Sequence, residues 1–309
     1  MSNQLSSLQI LKSLSDATSE LVKRLAPSIV SVNTRMTRGT GVILSPDGHI
    51  VTCSHVLGRA AQVRIGQKGR TFEATTLGFD PYSDVALLKA EEKHLTPVEL
   101  GDSDKLTTGQ FILALANPFN RQPTATSGII TSVGVTLRGW RSTAMENVIA
   151  TDAKLNPGFS GGPLIDVTGK MIGLNAAYVW QRGIAVPINR VKNITDRLIT
   201  GGKLRRAYLG IVSNTIQIPQ EITSQTGLEQ DTGVMIFQVE PDTPAKKAGL
   251  TMGDVIIKFN NQPITTFYDL PRLLTEDTIN KKTKITILRG ERIQELTITP
   301  TTAEDQNDE

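Results

Sequence analysis

Over residues 4–25 the apolar positions recur at helical spacing, with Leu14, Thr18, Leu21 and Leu25 on one face and Pro27 just beyond. This predicts an amphipathic helix whose apolar side packs on the barrel that follows or on a neighbouring subunit. From Ser28 the period shortens. Apolar, β-prone runs at 29–32, 41–44, 50–54, 63–65, 71–74 and 85–88 form one set, and runs at 111–114, 126–133, 148–150, 163–165, 171–174 and 184–186 form a second. Short strands at this spacing, bounded by turn residues, predict a barrel or sandwich architecture. Residues 136–146, around Arg138, Trp140 and Arg141, are the candidate for a mobile loop that gates a site.

Helical spacing returns at 189–200, where Val191, Ile194 and Leu198 share a face and Gly201-Gly202 supplies a stop. The predicted plan is therefore an N-terminal helix (1–26), a β-rich domain (27–200), a short basic linker (201–206), a second domain (207–302) and an acidic tail (303–309), which is expected to be disordered.

The 309 residues accommodate two domains, and 39% hydrophobic with 20% charged residues is ordinary globular composition. A formal charge of +3 over this length points to neither nucleic acid nor membrane as a partner. The single cysteine excludes an intramolecular disulfide and a multi-cysteine zinc site. Neither an apolar signal segment at the N-terminus nor a span of about 20 apolar residues is visible, so a cytoplasmic location is expected unless the chain is a trimmed exported form.

The candidate chemistry lies in Asn156-Pro157-Gly158-Phe159-Ser160-Gly161-Gly162-Pro163. Glycines around Ser160 allow a tight turn that presents the hydroxyl and aims the Gly158 and Ser160 N–H groups at one point, as an oxyanion requires. A serine needs a base, and the base an orienting acid. Of the three histidines, His49 follows a turn sequence and His94 sits in a charged loop, so both read as solvated surface residues. His55 ends the apolar run Ile50-Val51-Thr52-Cys53-Ser54 and is the candidate base; alone, it would equally suit a core histidine bonded to a carbonyl. Asp84, where a loop enters Val85-Ala86-Leu87-Leu88, is the candidate acid, whereas Asp80 beside Pro81 reads as a turn residue.

The order His55, Asp84, Ser160, with Thr52-Cys53-Ser54-His55-Val56, Ser83-Asp84-Val85-Ala86-Leu87-Leu88-Lys89, Leu100-Gly101-Asp102-Ser103-Asp104, Ala116-Asn117-Pro118-Phe119 and the turn around Ser160, resembles the HtrA (Deg) family of trypsin-like serine proteases from about residue 25 to 300. The resemblance implies a mainly β fold: a chymotrypsin-like double β-barrel with the site between its barrels, followed by an α+β PDZ domain. In that PDZ domain Tyr208-Leu209-Gly210-Ile211 would be the carboxylate-binding loop and residues 268–275 the groove helix. It also implies trimers, yet the aromatic residues that usually carry the trimer contact are absent before Phe72. Phe159 and Cys53-Ser54 depart from the family pattern, and Phe159 is expected to narrow access to the site.

The resulting expectation is an ATP-independent serine endopeptidase that needs no metal or organic cofactor. It cuts unfolded or damaged proteins, and its PDZ groove takes peptide C-termini. The competing class is a proteolytically silent peptide-binding chaperone, against which the intact triad argues. Lys154 stands six residues before the serine, where trypsin has its acid, and is expected to repel a basic side chain or to face solvent. Leu155, Ala176, Ala177 and Ile184 are expected to form a small aliphatic pocket for the residue before the scissile bond.

Overall fold

The apolar runs of the first two hundred residues close on themselves. β1 (Ile29–Asn33), β2 (Arg38–Ile43), β3 (His49–Thr52), β4 (Gln62–Gln67), β5 (Arg70–Asp80) and β6 (Val85–Ala90) form one closed barrel in the order β1-β2-β3-β6-β5-β4. β7 (Phe111–Ala116), β8 (Thr124–Trp140), β9 (Thr143–Thr151), β10 (Pro163–Asp166), β11 (Met171–Val179) and β12 (Arg182–Pro187) form a second, in the order β10-β11-β12-β9-β8-β7. The computed structural model describes residues 7–58, 60–140, 143–200, 207–267 and 269–302, in two compact units, Met1–Lys203 and Leu204–Glu309.

Closure explains the sequence pattern. A barrel strand whose outer face is also covered reads as a continuous apolar run, and Val85, Ala86, Leu87 and Leu88 of β6 are all fully buried. β4 has one face toward solvent and alternates instead, with Val63 and Ile65 inside and Gln62 and Arg64 outside.

One sequence expectation changes here. Residues 136–146 are not an open loop, since most of them extend a hairpin formed by β8 and β9, paired from Ile130↔Thr151 to Trp140↔Thr143 with repeated shifts of register. Backbone pairing accounts for a stretch that reads as loop because its apolar alternation is weak. Residues 141 and 142 at its tip lie outside the described residues. In α1 (Ser7–Leu25) only Leu25 is buried, while Leu8, Leu11 and Leu14 are half or more exposed. The helix is held at its C-terminal end, where Arg24 Nη2 donates to Thr168 O at 2.8 Å.

α2 (Ser54–Leu57) is a single turn between β3 and β4. α3 (Ile188–Ile199) buries the predicted face, Val191, Ile194 and Leu198, together with Ile188. Among the described residues no helix is long and apolar enough to cross a membrane.

The second unit contains β13 (Ala207–Tyr208), β14 (Ile211–Gln217), α4 (Gln220–Thr226), β15 (Thr232–Val239), α5 (Pro244–Lys247), β16 (Val255–Phe259), β17 (Gln262–Pro263), α6 (Asp269–Leu273), β18 (Thr283–Arg289), β19 (Arg292–Ile298) and β20 (Thr301–Thr302). Its main sheet runs β14-β15-β16-β18-β19, with β17 paired to β16 and β13 to β20. The sheet and helices enclose a core of Ile236, Phe259, Ile285 and Ile287, to which α6 contributes Leu270. Pro271 falls in the first turn of α6, where its missing N–H costs nothing. Tyr268, the linker 201–206 and the tail 303–309 lie outside the described residues.

One buried charge holds this unit together. Asp254 is 1% exposed and receives Arg289 Nε at 2.7 Å and Nη2 at 2.8 Å, plus the Thr251 N–H at 2.8 Å. A forked guanidinium pair of this kind satisfies a carboxylate that burial would otherwise penalise. Arg289→Ala is expected to destabilise the second unit by about 1–3 kcal/mol, less than a fully buried pair would lose, because the Arg289 side chain is 37% exposed. Urea unfolding of the full chain followed by hydrogen exchange of the second unit's backbone amides measures this, and a shift under about 0.5 kcal/mol contradicts it.

Candidate active site

β3 ends at Thr52, and the chain turns directly into α2, so His55 projects from a one-turn helix anchored on the first barrel. Asp84 stands at the entry to β6, the strand paired with β3 through Thr52↔Ala86. The pairing sets the geometry. His55 Nδ1 lies 2.6 Å from Asp84 Oδ2, while Asp84 Oδ1 accepts the Ser54 hydroxyl at 2.9 Å and the His55 N–H at 3.0 Å. Asp84 is 3% exposed, so its charge is held by donors rather than by water. It adopts φ +56°, a left-handed conformation that a short, locally bonded acidic side chain tolerates.

The Ser160 turn comes from the second barrel. Asn156 O accepts the Phe159 N–H at 3.0 Å with Gly158 at φ +95°, the signature of a type II turn. Among the described residues, the Gly158 and Ser160 N–H groups donate to no protein acceptor. The Ser160 hydroxyl donates to Ala176 O at 3.1 Å. Thr40 of β2 seats the turn by donating its hydroxyl to Gly158 O at 2.7 Å and its N–H to Ser160 O at 3.0 Å. At Gly161, φ +84°, a Cβ would lie 2.0 Å from Thr40 O, so only glycine lets the two barrels approach this closely.

Leu155, Ala176, Ala177 and Ile184 are all buried beside this turn, Ala177 pairs with Ile184, and Lys154 is exposed to solvent. Phe159 does not narrow access to the site. It is 2% exposed and packs with Ile112, Ala153 and Leu164 in the second barrel's core. His49 is also less solvated than its turn sequence suggests: it is half-buried, with Nδ1 2.9 Å from Ser45 Oγ. His94 is exposed, and Asp80, although buried, accepts the Tyr82 N–H as a turn residue does.

Sequence reasoning missed Thr40, Ser54 and Asn175. Asn175 is fully buried, and its backbone O accepts both the Gly161 N–H and the Cys53 thiol. The paired small residues Gly39-Thr40-Gly41 were the available signal. Cys53, His55 and Asp84 bring potential metal-ligand atoms within 4.8 Å of one another. Each already serves a protein hydrogen bond, and a cation there would break the His55–Asp84 contact.

In the second unit Leu209 is buried, with its O accepting the Ala245 N–H. Gly210 has φ +80°, and Ile211 opens β14 at the sheet's edge. Thr215 Oγ1 of β14 accepts the Phe267 N–H just ahead of α6, which brings the edge strand and the helix together. The Tyr208 hydroxyl donates to Glu240 Oε2.

Two six-stranded barrels with a histidine–carboxylate pair on one and a glycine-flanked serine on the other define the trypsin-like class of serine peptidase fold. Residues 39–174 match the trypsin-like peptidase domain family and residues 209–299 the PDZ domain family. The chain is 36% identical over 281 residues to a DegP-like protein of Pseudomonas fluorescens described as a periplasmic serine endoprotease, with 87% of the chain and 57% of the relative covered. It is 36% identical over 276 residues to a similarly described protein of Marinomonas, with coverage of 86% and 57%. A solved structure of the HtrA-type protease AlgW with a tripeptide superposes with TM-score 0.72 at 32% identity, over 92% of this chain and 96% of that one.

The chain belongs to the HtrA-type serine protease family. It spans a little over half the length of the curated relatives it matches. The cytoplasmic location expected from its N-terminal residues is overturned, since these relatives are described as periplasmic.

Desolvation and the bond to Glu240 push the Tyr208 phenol up to about 12. Because the folded value lies above the unfolded one near 10, this group's contribution to stability is complete below pH 10 and is lost as pH rises through 12. Phenolate absorbance during alkaline titration should show one of the four tyrosines ionising late, and Glu240→Gln should bring it earlier. An unchanged titration in the variant contradicts the assignment.

Proposed function

We propose that the chain is an ATP-independent serine endopeptidase acting on unfolded or damaged polypeptides in an exported compartment. One observation carries the reading: a His55–Asp84 pair at 2.6 Å beside a serine turn whose Gly158 and Ser160 N–H groups are left without protein acceptors. The Ser160 hydroxyl leaves Ala176 O, passes its proton to His55 Nε2 and attacks the scissile carbonyl. Asp84 holds Nδ1–H and offsets the imidazolium charge as it forms. The Gly158 and Ser160 amides stabilise the oxyanion, and His55 returns the proton to the leaving amine before water repeats the sequence on the acyl enzyme.

The buried wall of Leu155, Ala176, Ala177 and Ile184 supports cleavage after small aliphatic residues, with soft discrimination, since one methylene is worth only about 1–3 kcal/mol. The second unit takes a peptide as an added strand on β14, with the carboxylate at residues 208–211. The exposed leucines of α1 support a homo-oligomer joined by that face. The Tyr208-to-Ile211 loop and the AlgW complex with a tripeptide support the peptide-binding role.

Ser160→Ala is expected to lower cleavage of a denatured protein by at least about 10³-fold without changing the unfolding midpoint. Fragment mass spectrometry on the wild type should show Val, Ala, Ile or Leu before the cut. Equal rates in the two proteins, or Lys and Arg predominating, contradicts the assignment.

Peptides with a free apolar C-terminus are expected to bind the full-length Ser160→Ala chain, and amidation of that C-terminus to weaken binding about tenfold, as charge-assisted bonds to the loop are lost. Calorimetric titration with both forms measures the difference. Equal affinities would remove carboxylate capture from the reading.

A further inference from the structure

A cavity of about 660 Å³ in the first unit is lined by Asn33, Arg38, Arg64, Pro118, Phe119 and Arg121, among others. Its walls touch the serine turn. A Cβ on Gly158 would meet Pro118 Cβ at 2.6 Å, and one on Gly39, the neighbour of Arg38, would meet Val56 at 2.7 Å and Ser160 O at 3.1 Å. The opposite side of the same turn faces β11, where Ala176 O holds the Ser160 hydroxyl and Ala177 pairs with Ile184. A polypeptide with its P1 side chain on the β11 side therefore leaves Ser160 across the arginine-lined cavity.

The charge there is unbalanced. Among the described residues Arg38 and Arg121 make no ion pair, and Arg64 has only a loose one, 3.7 Å from the exposed Glu73. Arg35 adds an exposed cation on the adjoining turn. No carboxylate lines the cavity, although the chain as a whole carries only +3. Phe119, 66% exposed, offers an apolar floor against which a methylene stem can lie.

We infer that this cavity is the leaving-group side of the substrate cleft and that it selects polypeptides with acidic residues shortly after the scissile bond. The inference rests on the serine-peptidase reading above. Each exposed ion pair contributes up to about fivefold, so two or three engaged together produce a preference on the order of tenfold that weakens with salt.

Three internally quenched peptides, identical apart from Glu, Gln or Lys at the second and third residues after a Val cleavage site, provide the test. Their C-termini are amidated to keep them from the carboxylate-binding loop. Wild type should cleave them in the order Glu, Gln, Lys, with kcat/KM about tenfold apart between the extremes at low salt. Arg38→Glu combined with Arg121→Glu should reverse that order. Equal cleavage of all three, or an order unchanged in the double variant, overturns the inference while leaving the peptidase reading intact.

Fluorescence anisotropy of the same peptides, labelled, on Ser160→Ala supplies a readout that needs no turnover. Tighter binding of the Glu peptide there supports the inference even if no peptide is cleaved, an outcome that would instead count against the peptidase reading. Indifference to charge in this binding overturns the inference.

Discussion

The site depends on the hydrogen bonds by which Thr40 holds the serine turn to the first barrel. On the mechanism proposed above, Ser160 on one barrel and His55 on the other have to keep their separation to a few tenths of an ångström, because catalytic groups work only within hydrogen-bond reach. Thr40 does this with both its hydroxyl and its backbone: it donates to Gly158 O and Ser160 O and accepts the Asn117 N–H at 2.9 Å and the Thr52 hydroxyl at 2.7 Å. Thr52 is in turn the last residue of the strand that delivers His55. One fully buried threonine thus ties the serine turn, the histidine strand and the end of β7 into a single hydrogen-bonded unit, and Gly161 permits it by having no Cβ to clash with Thr40 O.

The same economy governs Asp84. A buried carboxylate costs several kcal/mol unless it is fully bonded, and its two oxygens here take the Ser54 hydroxyl, the His55 N–H and the His55 ring. All three donors belong to the first two residues of α2, so the turn that carries the histidine also satisfies the carboxylate beside it. The left-handed backbone at Asp84 follows from this demand, since the chain has to bend sharply for the carboxylate to point back at α2 before β6 begins.

Much of this was legible in the sequence because the relevant signals are local. The runs that became β7 and most of β6 are continuous apolar segments, and a strand buried on both faces leaves that mark. His55, Asp84 and Ser160 each sit where an apolar run meets a turn, which is why they could be singled out. The rest depends on contacts between distant segments. Thr40 is one polar residue in a small-residue stretch, and nothing nearby reveals that it meets Gly158, 118 residues away. The burial of Phe159 is set by its contacts in the second barrel's core, which its glycine neighbours do not reveal. The β8–β9 hairpin is stabilised by backbone pairing through an irregular register, which leaves only a weak apolar pattern to read. The exposed leucines of α1 show the reverse case, in which helical periodicity is real but only its last turns find an apolar surface.

On the function proposed above, the two units meet one recognition problem with the same physics. An unfolded polypeptide offers little fixed shape, so a binder has to rely on what every extended chain carries: backbone donors and acceptors, a terminal carboxylate, and short runs of side chains. β14 is the edge strand of its sheet, which suits an added strand, while among the described residues the Gly158 and Ser160 N–H groups have no protein acceptor. Each contact alone is weak and unselective. Two such sites in one chain make the second engagement an intramolecular step. On the function proposed above, selectivity can then come from weak side-chain preferences at each site without either needing tight affinity.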